Sequence, residues 1–473
     1  MTNTQRKTKI VCTIGPATST AAAQRQLVAA GMDVARLNFS HGDHQSHGEA
    51  IRSLRRTAAE AGREVGILQD LCGPKIRLGK LPEGGVVLRP GEGVALAPDG
   101  SGAAGALPVS YPHLLEDVHE GDRILLADGL VELKVRARRP DRLECEVQVG
   151  GTLGSGKGVN LPGAALRVAS FTAKDRSDLA MGLAAGVDFV ALSFVRHEDD
   201  LDPVSAMLEE ATDRPLLIAK IEKPEALERL HRILERVDGV MVARGDLGVE
   251  MPVEEVPLIQ KRVITEARRA GRPVITATQM LRSMVESPRP LRAEATDVAN
   301  AILDGSDALM LSEETAVGSY PVAAVEMLDR IARVVEPTLD PRARLDEPVS
   351  DLVPGTAGAI SRAACALAED VNAVAIFATT KSGGTARLVA RLRPRRPVVG
   401  LTSRAIVRRQ LTLSWGVVPA AVELFTDTDS AFERAVAWAR EQGLARPGDR
   451  IVVTAGLPVN VPGGTDLVRV IEV

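Results

Sequence analysis

The sequence predicts an α/β protein: a (β/α)8 barrel with an inserted small β-barrel domain, followed by a C-terminal α/β domain. Three observations predict this. Eight short apolar runs rich in β-branched residues alternate with helix-like segments rich in Ala, Arg and Glu. One gap, from about Ile76 to Ser170, changes to Gly and Pro turns with alternating hydrophobicity. After roughly Asp346 a Pro/Asp-rich linker leads into a third unit.

In chain order the first runs are KIVCTIG (Lys9 to Gly15), DVARLNFS (Asp33 to Ser40) and VGILQD (Val65 to Asp70). VDFVALSF (Val187 to Phe194), PLLIAKIE (Pro215 to Glu222) and VDGVMVARGD (Val237 to Asp246) follow, then PVITATQ (Pro273 to Gln279) and SDALMLSEE (Ser306 to Glu314). Four carry an Asp just before the apolar stretch, at Asp33, Asp188, Asp238 and Asp307. The gap after the third run contains DRILLADGLVELKVRARRPDRLECEVQVGG, whose period-two pattern bounded by DG and RPD reads as antiparallel strands. The third unit contains NAVAIFATTKSGGTARLVARL, PVVGLTS and DRIVVTAG, expected to form a parallel sheet. The expected domains are therefore 1–71 with 171–345 (barrel), 72–170 (insert) and 346–473 (C-terminal unit).

Composition narrows the function classes. The 473 residues are 45% hydrophobic and 25% charged, with net charge −4, which is ordinary for a soluble globular chain. No basic excess points to nucleic acid, and no apolar run approaches membrane-spanning length, so neither partner is expected. Cys12, Cys72, Cys145 and Cys365 are scattered without metal-type spacing, which fits a reducing, cytoplasmic setting. His41, His44 and His47 lie close together and are read as a surface cluster. Only 11 of the 58 basic residues are lysine, so each lysine in a motif draws interest as a compact ammonium.

In such a barrel chemistry gathers at the C-terminal strand ends. From the second strand on, every rim carries polar groups: Arg36, Asn38 and Ser40; Asp70, Lys75 and Arg77; Ser193 and Arg196; Lys220 and Glu222; Arg244 and Asp246; Thr278 and Gln279; Ser312 and Glu314. Any one of these reads equally as a helix cap or a rim ion pair. Glu222 and Asp246 make a hard oxygen pair suited to Mg²⁺ or Mn²⁺. Lys220 and Glu222 alternate and can lean the same way. With Arg36, Lys75, Arg77 and Lys220 as a cationic ring, the set suits phosphoryl transfer. Two alternatives stay open beside such a transferase: a different barrel enzyme with a Glu/Asp-bound Mg²⁺, and a catalytically weak regulatory protein.

KIVCTIGPAT, GMDVARLNFSHG, DLCGPKIRLG, GKGVNLPG, DFVALSFVR, IAKIEKPEAL, VARGDLGVE, ITATQMLRSM and LSEETAVGSYP occur in this order. Together they resemble the successive motifs of the pyruvate kinase family, bacterial type. The resemblance implies transfer of the phosphoryl group of phosphoenolpyruvate to ADP, giving pyruvate and ATP. It implies that Arg36 holds the transferred phosphate, that Glu222 and Asp246 bind Mg²⁺, and that Lys220 neutralises developing charge. Thr278 would serve protonation of the enolate, and backbone at Gly245 and Asp246 would meet the substrate carboxylate. Asn38, His41, Arg77 and Lys157 would face the nucleotide, with the insert acting as a lid. A homotetramer is the family's usual assembly.

The chain departs from the family at DLCGPKIR, where most members read DTKGPEIR. The family's potassium site would use Asn38, Ser40, Asp70 and position 71, which is Leu71 here and has no side-chain oxygen. Lys75 replaces a glutamate and resembles the lysine-bearing, potassium-independent subgroup, so K⁺ is expected to be dispensable. Cys72 is expected to be a packed thiol. Glu313 stands where glycine is common and is expected to face solvent. In the third unit TTKSGGTA follows a strand and opens a helix. By resemblance Thr379, Thr380, Lys381, Ser382 and Thr385 would hold the phosphate of an allosteric effector.

Overall fold

The computed structural model describes residues 6–164, 166–345, 353, 355–425, 427–456 and 464–473. The linker expected from Asp346 therefore lies mostly outside the described residues. The first three strands are β1 (Lys9–Thr13), β2 (Val34–Asn38) and β3 (Gly66–Asp70). The insert then contributes β4 (Val86–Leu88), β5 (Gly93–Pro98), β6 (Leu107–Val109), β7 (Arg123–Leu126), β8 (Val131–Arg138), β9 (Leu143–Val149), β10 (Gly151–Leu153) and β11 (Val159–Asn160). The barrel resumes with β12 (Phe189–Leu192), β13 (Leu216–Ile221), β14 (Gly239–Ala243), β15 (Val274–Ala277) and β16 (Ala308–Leu311). β1, β2, β3 and β12 to β16 are all parallel to their neighbours and close into one barrel. All eight barrel strands fall within the eight runs read from the sequence.

These strands are buried on both faces, which is why their sequences are near-continuous apolar runs. Alternation still sorts them. Val11, Val34, Leu68, Phe189, Ala191, Leu216, Ile218, Met241, Ile275, Ala277, Ala308 and Met310 pack together as one cluster within the barrel. Their alternates, such as Ile10, Cys12, Ala35, Ile67, Val190 and Leu217, pack in a second cluster with the surrounding helices. Continuing the inward parity to the C-terminal ends reaches Thr13, Arg36, Asp70, Ser193, Lys220, Glu222 and Ser312. Period two thus delivers a polar layer on top of an apolar plug.

The opposite end of the barrel uses the four aspartates. Asp33 accepts the Ile10 N–H at 2.9 Å, Asp188 the Ile67 N–H at 2.8 Å, Asp238 the Leu217 N–H at 2.9 Å and Asp307 the Val274 N–H at 3.0 Å. Each Asp before an even barrel strand therefore satisfies an N–H near the start of the preceding odd strand. Each is also paired with arginine: Arg6, Arg55, Arg214 and Arg393 respectively.

In the insert, β11, β7, β8, β9, β5 and β6 form a six-stranded sheet, and β10 pairs with β4. The Asp128-Gly129 turn joins β7 to β8, with Ala127, Asp128 and Gly129 all at positive φ. The sheet's two outer strands are linked by one segment. Arg77 bridges to Gly158 beside β11, and Leu78 bridges to Val109 of β6. The expected β-barrel is thus an open sheet curled round until residues 77 and 78 fill its seam.

The C-terminal unit contains β17 (Ala375–Thr379), β18 (Val398–Thr402), β19 (Val417–Ala421), β20 (Arg450–Gly456) and β21 (Thr465–Glu472), in the order β19-β18-β17-β20-β21. The three runs expected to form a parallel sheet, β17, β18 and β20, are parallel, and β21 adds an antiparallel edge strand beside β20. This unit docks on the base of the barrel. Leu413 packs into the barrel's inner cluster, and Arg409 pairs with Asp188 at 2.7 Å. Gly66 is glycine for this reason: a Cβ there would lie 2.7 Å from Phe189 and 2.8 Å from Thr412.

Candidate active site

Asp70, at the end of β3, organises the mouth of the barrel. Its Oδ2 accepts Arg36 Nε at 2.7 Å and lies 2.6 Å from Arg36 Nη2, while Lys220 Nζ stands 3.5 Å from Oδ1. Arg36 also donates Nη1 to Thr13 Oγ1 at 3.0 Å. Lys220 donates to Ser193 Oγ at 2.7 Å, and Ser193 donates on to the Leu71 carbonyl at 2.6 Å. Both cations are therefore aimed by partners from neighbouring strands.

Burial alone would raise the Asp70 carboxyl, but Lys220 and Arg36 outweigh it and hold it below the usual carboxylate range. Burial likewise disfavours the Lys220 ammonium. Asp70, Glu222 and Asp246 reverse that and keep it above the ordinary lysine value, so the group is a fixed cation.

Glu222 is 1% exposed. Its Oε1 accepts the Phe194 N–H at 2.6 Å, and its Oε2 stands 3.4 Å from Lys220 Nζ with no hydrogen-bond partner. Burial, then the nearby Asp246 and Asp70 charges, push it up to about 7 against the pull of Lys220. A buried carboxylate oxygen without a hydrogen-bonded proton beside a second carboxylate fits a divalent cation. Among the described residues no group of three or more His, Cys, Asp or Glu could hold a metal. Two carboxylates alone suit Mg²⁺, which keeps several waters and takes the rest of its shell from substrate oxygens.

Asp246 lies in the first turn of the helix Arg244–Glu250, directly after β14. The Gly245 N–H donates to Thr278 Oγ1 at 2.7 Å, and Arg244 Nη2 donates to the Thr278 carbonyl at 2.7 Å. These contacts hold Thr278 at φ +70°, a left-handed conformation that is strained for a β-branched residue. Its hydroxyl is thereby fixed against the turn that carries Asp246.

The remaining expected residues fall in several places. Asn38 accepts the Ser40 N–H at 3.2 Å, so both sit beside Asp70. The Leu71 side chain is 1% exposed and packs with the outer hydrophobic cluster. Lys75 lines the cleft between insert and barrel together with Asn160, Phe194, Lys223 and Asp246. Arg77 belongs to the insert's seam and donates to the Gly156 carbonyl at 3.0 Å. Lys157 and His41 are exposed. The four-cation ring read from the sequence is thus divided: Arg36 and Lys220 meet at Asp70, Lys75 faces the cleft, and Arg77 is in the insert. His44 pairs with Asp178 and His47 stacks on Phe39, so the histidine cluster has no common focus. Glu313 is solvent-facing and pairs with Arg282 at 2.7 Å, while the Ser312 hydroxyl is buried without a partner.

Thr13, which orients Arg36, was not anticipated. The parity of β1 beyond Val11 is the signal that would have found it. A contact between insert and barrel was also missed: Glu250 Oε1 accepts Asn160 Nδ2 at 3.0 Å and Lys223 Nζ at 2.7 Å. In the C-terminal unit the loop after β17 lies where the strand order reverses, between β18 and β20. Thr380 Oγ1 accepts the Gly383 N–H at 2.9 Å, Thr379 bonds the Thr454 carbonyl and Thr385 bonds Thr465. Lys381 and Ser382 are exposed.

Comparison with known proteins agrees along the chain. Residues 5–325 match the family described as "Pyruvate kinase, barrel domain", and residues 358–471 match "Pyruvate kinase, alpha/beta domain". The chain is 49% identical to pyruvate kinase 2 of Synechocystis, across 98% of this chain and 79% of that one. It is 45% identical to a pyruvate kinase of Geobacillus stearothermophilus, across 98% and 80%. A pyruvate kinase of Corynebacterium efficiens is 46% identical across 98% of each chain. The crystal structure of a pyruvate kinase from Cryptosporidium parvum superposes with a TM-score of 0.92 at 37% identity, covering 99% of this chain and 97% of that one.

Proposed function

The chain belongs to the pyruvate kinase family, and from that premise we propose how its own residues carry the transfer. The activity is pyruvate kinase: the phosphoryl group leaves the enol oxygen of phosphoenolpyruvate for the terminal phosphate of ADP. The enolate left behind takes a proton at carbon to become pyruvate. The observation that carries the reading is the convergence of Arg36, Lys220 and the unpartnered Glu222 oxygen at the barrel mouth.

Arg36, braced by Thr13 and Asp70, binds the phosphoryl group. Lys220 offsets the charge that grows as the bond to the enol oxygen breaks. Glu222 and Asp246 would hold Mg²⁺ (or Mn²⁺), which when bound would supply positive charge against the substrate oxygens. Backbone at Gly245 and Asp246 meets the substrate carboxylate, for which the Gly245 N–H turns from Thr278 Oγ1. Thr278 positions the water that protonates the enolate carbon. Asn38, His41, Arg77 and Lys157 face the nucleotide, and the insert, latched through Asn160 and Glu250, excludes water during transfer.

K⁺ is not required in this reading, which places the chain with the lysine-bearing, potassium-independent members. Asp70 already has two protein cations, Leu71 offers no side-chain oxygen, and Lys75 brings a further ammonium to the cleft. A phosphorylated effector binds the Thr379–Thr385 loop, and the assembly is a cytoplasmic homotetramer. A coupled assay of pyruvate formation from phosphoenolpyruvate and ADP tests the activity and its need for Mg²⁺. Repeating it with tetramethylammonium in place of K⁺ should leave the rate unchanged, and Lys75→Glu should make it K⁺-dependent. A collapse of the wild-type rate without K⁺ would refute that part. For the effector, thermal shifts against a panel of sugar and nucleoside phosphates should include a response that Ser382→Ala abolishes. Light scattering of the purified protein checks the tetramer.

A further inference from the structure

The chain crosses between barrel and insert twice, outward after Asp70 and back at Ser170, and both crossings meet at Phe194, just past the end of β12. On the outward crossing Gly73 lies against the Phe194 ring: a Cβ at Gly73 would sit 2.7 Å from Phe194 Cδ2. Gly73 is also at φ +67°, so position 73 suits glycine on both counts. On the returning crossing Ser170 is 1% exposed and donates Oγ to the Phe194 carbonyl at 2.7 Å. The fully buried Asp175 ties the crossings to each other. Its Oδ1 accepts the Gly73 N–H at 3.1 Å and its Oδ2 the Thr172 N–H at 2.9 Å.

The other side of Phe194 faces the barrel mouth. Its N–H donates to Glu222 Oε1 at 2.6 Å, which leaves Oε2 as the oxygen without a hydrogen bond. Phe194 holds φ +58°, a left-handed conformation unfavourable for a side chain of this bulk. Such a conformation persists only where the surroundings over-determine it, and the two crossings supply contacts on both its ring and its carbonyl. Lys223, next to Glu222, places Nζ 5.7 Å over the same ring and pairs with Glu250, which also accepts from Asn160 of the insert.

We propose that Phe194 is a positioning residue: it sets the Glu222 carboxylate for the divalent cation and couples that carboxylate to the two crossings of the insert. The inference rests on the reading of Glu222 as a metal ligand. A carboxylate held through one oxygen presents the other in a fixed orientation, and a carboxylate that must be ordered as the ion arrives binds it more weakly. The coupling is reciprocal, so an ion that fixes Glu222 also steadies Phe194 and, through it, Gly73 and Ser170.

Mn²⁺ binding to the full chain without substrates, followed by electron paramagnetic resonance of the free ion, reads this brace apart from catalysis. Ser170→Ala deletes the hydroxyl on the Phe194 carbonyl and should raise the Mn²⁺ Kd about three- to tenfold, the effect of one hydrogen bond. Asp238→Ala, at the base of the barrel, should keep the wild-type Kd, which separates positioning from general destabilisation. Glu222→Gln should abolish binding at this site. No Mn²⁺ binding by the wild type, or binding that Glu222→Gln leaves intact, overturns the metal assignment and this inference with it. Binding that needs Glu222 but is unmoved by Ser170→Ala, or weakened equally by Asp238→Ala, overturns the brace alone. Hydrogen exchange tests the coupling with no change at position 170. Mg²⁺ should slow amide exchange in wild-type peptides carrying Gly73 and Thr172, and not in those of Glu222→Gln. Equal exchange with and without Mg²⁺ in the wild type overturns the coupling.

Discussion

Lys220 is held by Ser193 on one side and by Asp70 and Glu222 on the other, so its ammonium is aimed before any substrate arrives. A preset cation stabilises charge that appears in the transition state more than charge already present in the ground state. Lys220→Met should therefore lower kcat by about 10²–10³ while moving the phosphoenolpyruvate KM only a few-fold, as removal of one preorganised stabilising group does elsewhere. Steady-state kinetics checks this; a large KM increase at constant kcat would assign Lys220 to ground-state binding. Leu71 and Lys75 also belong to this scale. The first turns its side chain into the hydrophobic packing and the second reaches the cleft beside the insert, so both departures from the family motif lie past the end of β3.

At the scale of elements, the barrel's base is built by one device used four times. Asp33, Asp188, Asp238 and Asp307 each accept an N–H from a neighbouring strand and pair with arginine. The sequence displays the four aspartates, but it does not reveal that each serves the strand before its own. Asp238→Ala leaves the Leu217 N–H and the Arg214 guanidinium unpaired and should cost about 1–3 kcal/mol. Chemical denaturation of wild type and variant would measure it. Because Asp238 is at the end of the barrel away from Lys220, kcat of the folded variant should be unchanged. The insert is held differently, by Glu250 gathering Asn160 and Lys223 and by Arg196 donating to the Leu166 and Val168 carbonyls.

Across the whole molecule, the barrel and the C-terminal unit are joined by charge at the base and by the N-terminal segment. Lys7 donates Nζ to the Pro394 and Arg395 carbonyls at 3.0 and 2.6 Å and lies 4.9 Å over the Trp415 ring. Burial outweighs Glu336 and Glu369 and lowers it to about 8. The unfolded chain, with an ordinary lysine value near 10.5, then binds more protons than the folded one between these two values. The Lys7 contribution to stability therefore rises as pH increases through that window. Relative to Lys7→Met, the wild type should gain on the order of 1 kcal/mol between pH 7.5 and 9.5. Unfolding midpoints of both proteins at the two pH values test the sign; a difference that does not change would refute the linkage.

Much of the site was legible because its geometry is local. Alternation along each strand decides which side chains point inward, so Arg36, Asp70, Lys220 and Glu222 were bound to share the mouth once the eight runs closed into a barrel. Thr13 obeyed the same rule and could have been included. The rest depended on segments with no such period. Arg77 had to fill the seam of the insert before its place was known, and β21 had to return antiparallel to close the C-terminal sheet. The sequence by itself determined the barrel, its polar rim and the family. The tertiary structure alone decided that Arg272 of the barrel and Arg387 of the C-terminal unit face one cavity. Their meeting depends on how the two units dock, and no periodicity along the chain encodes that approach.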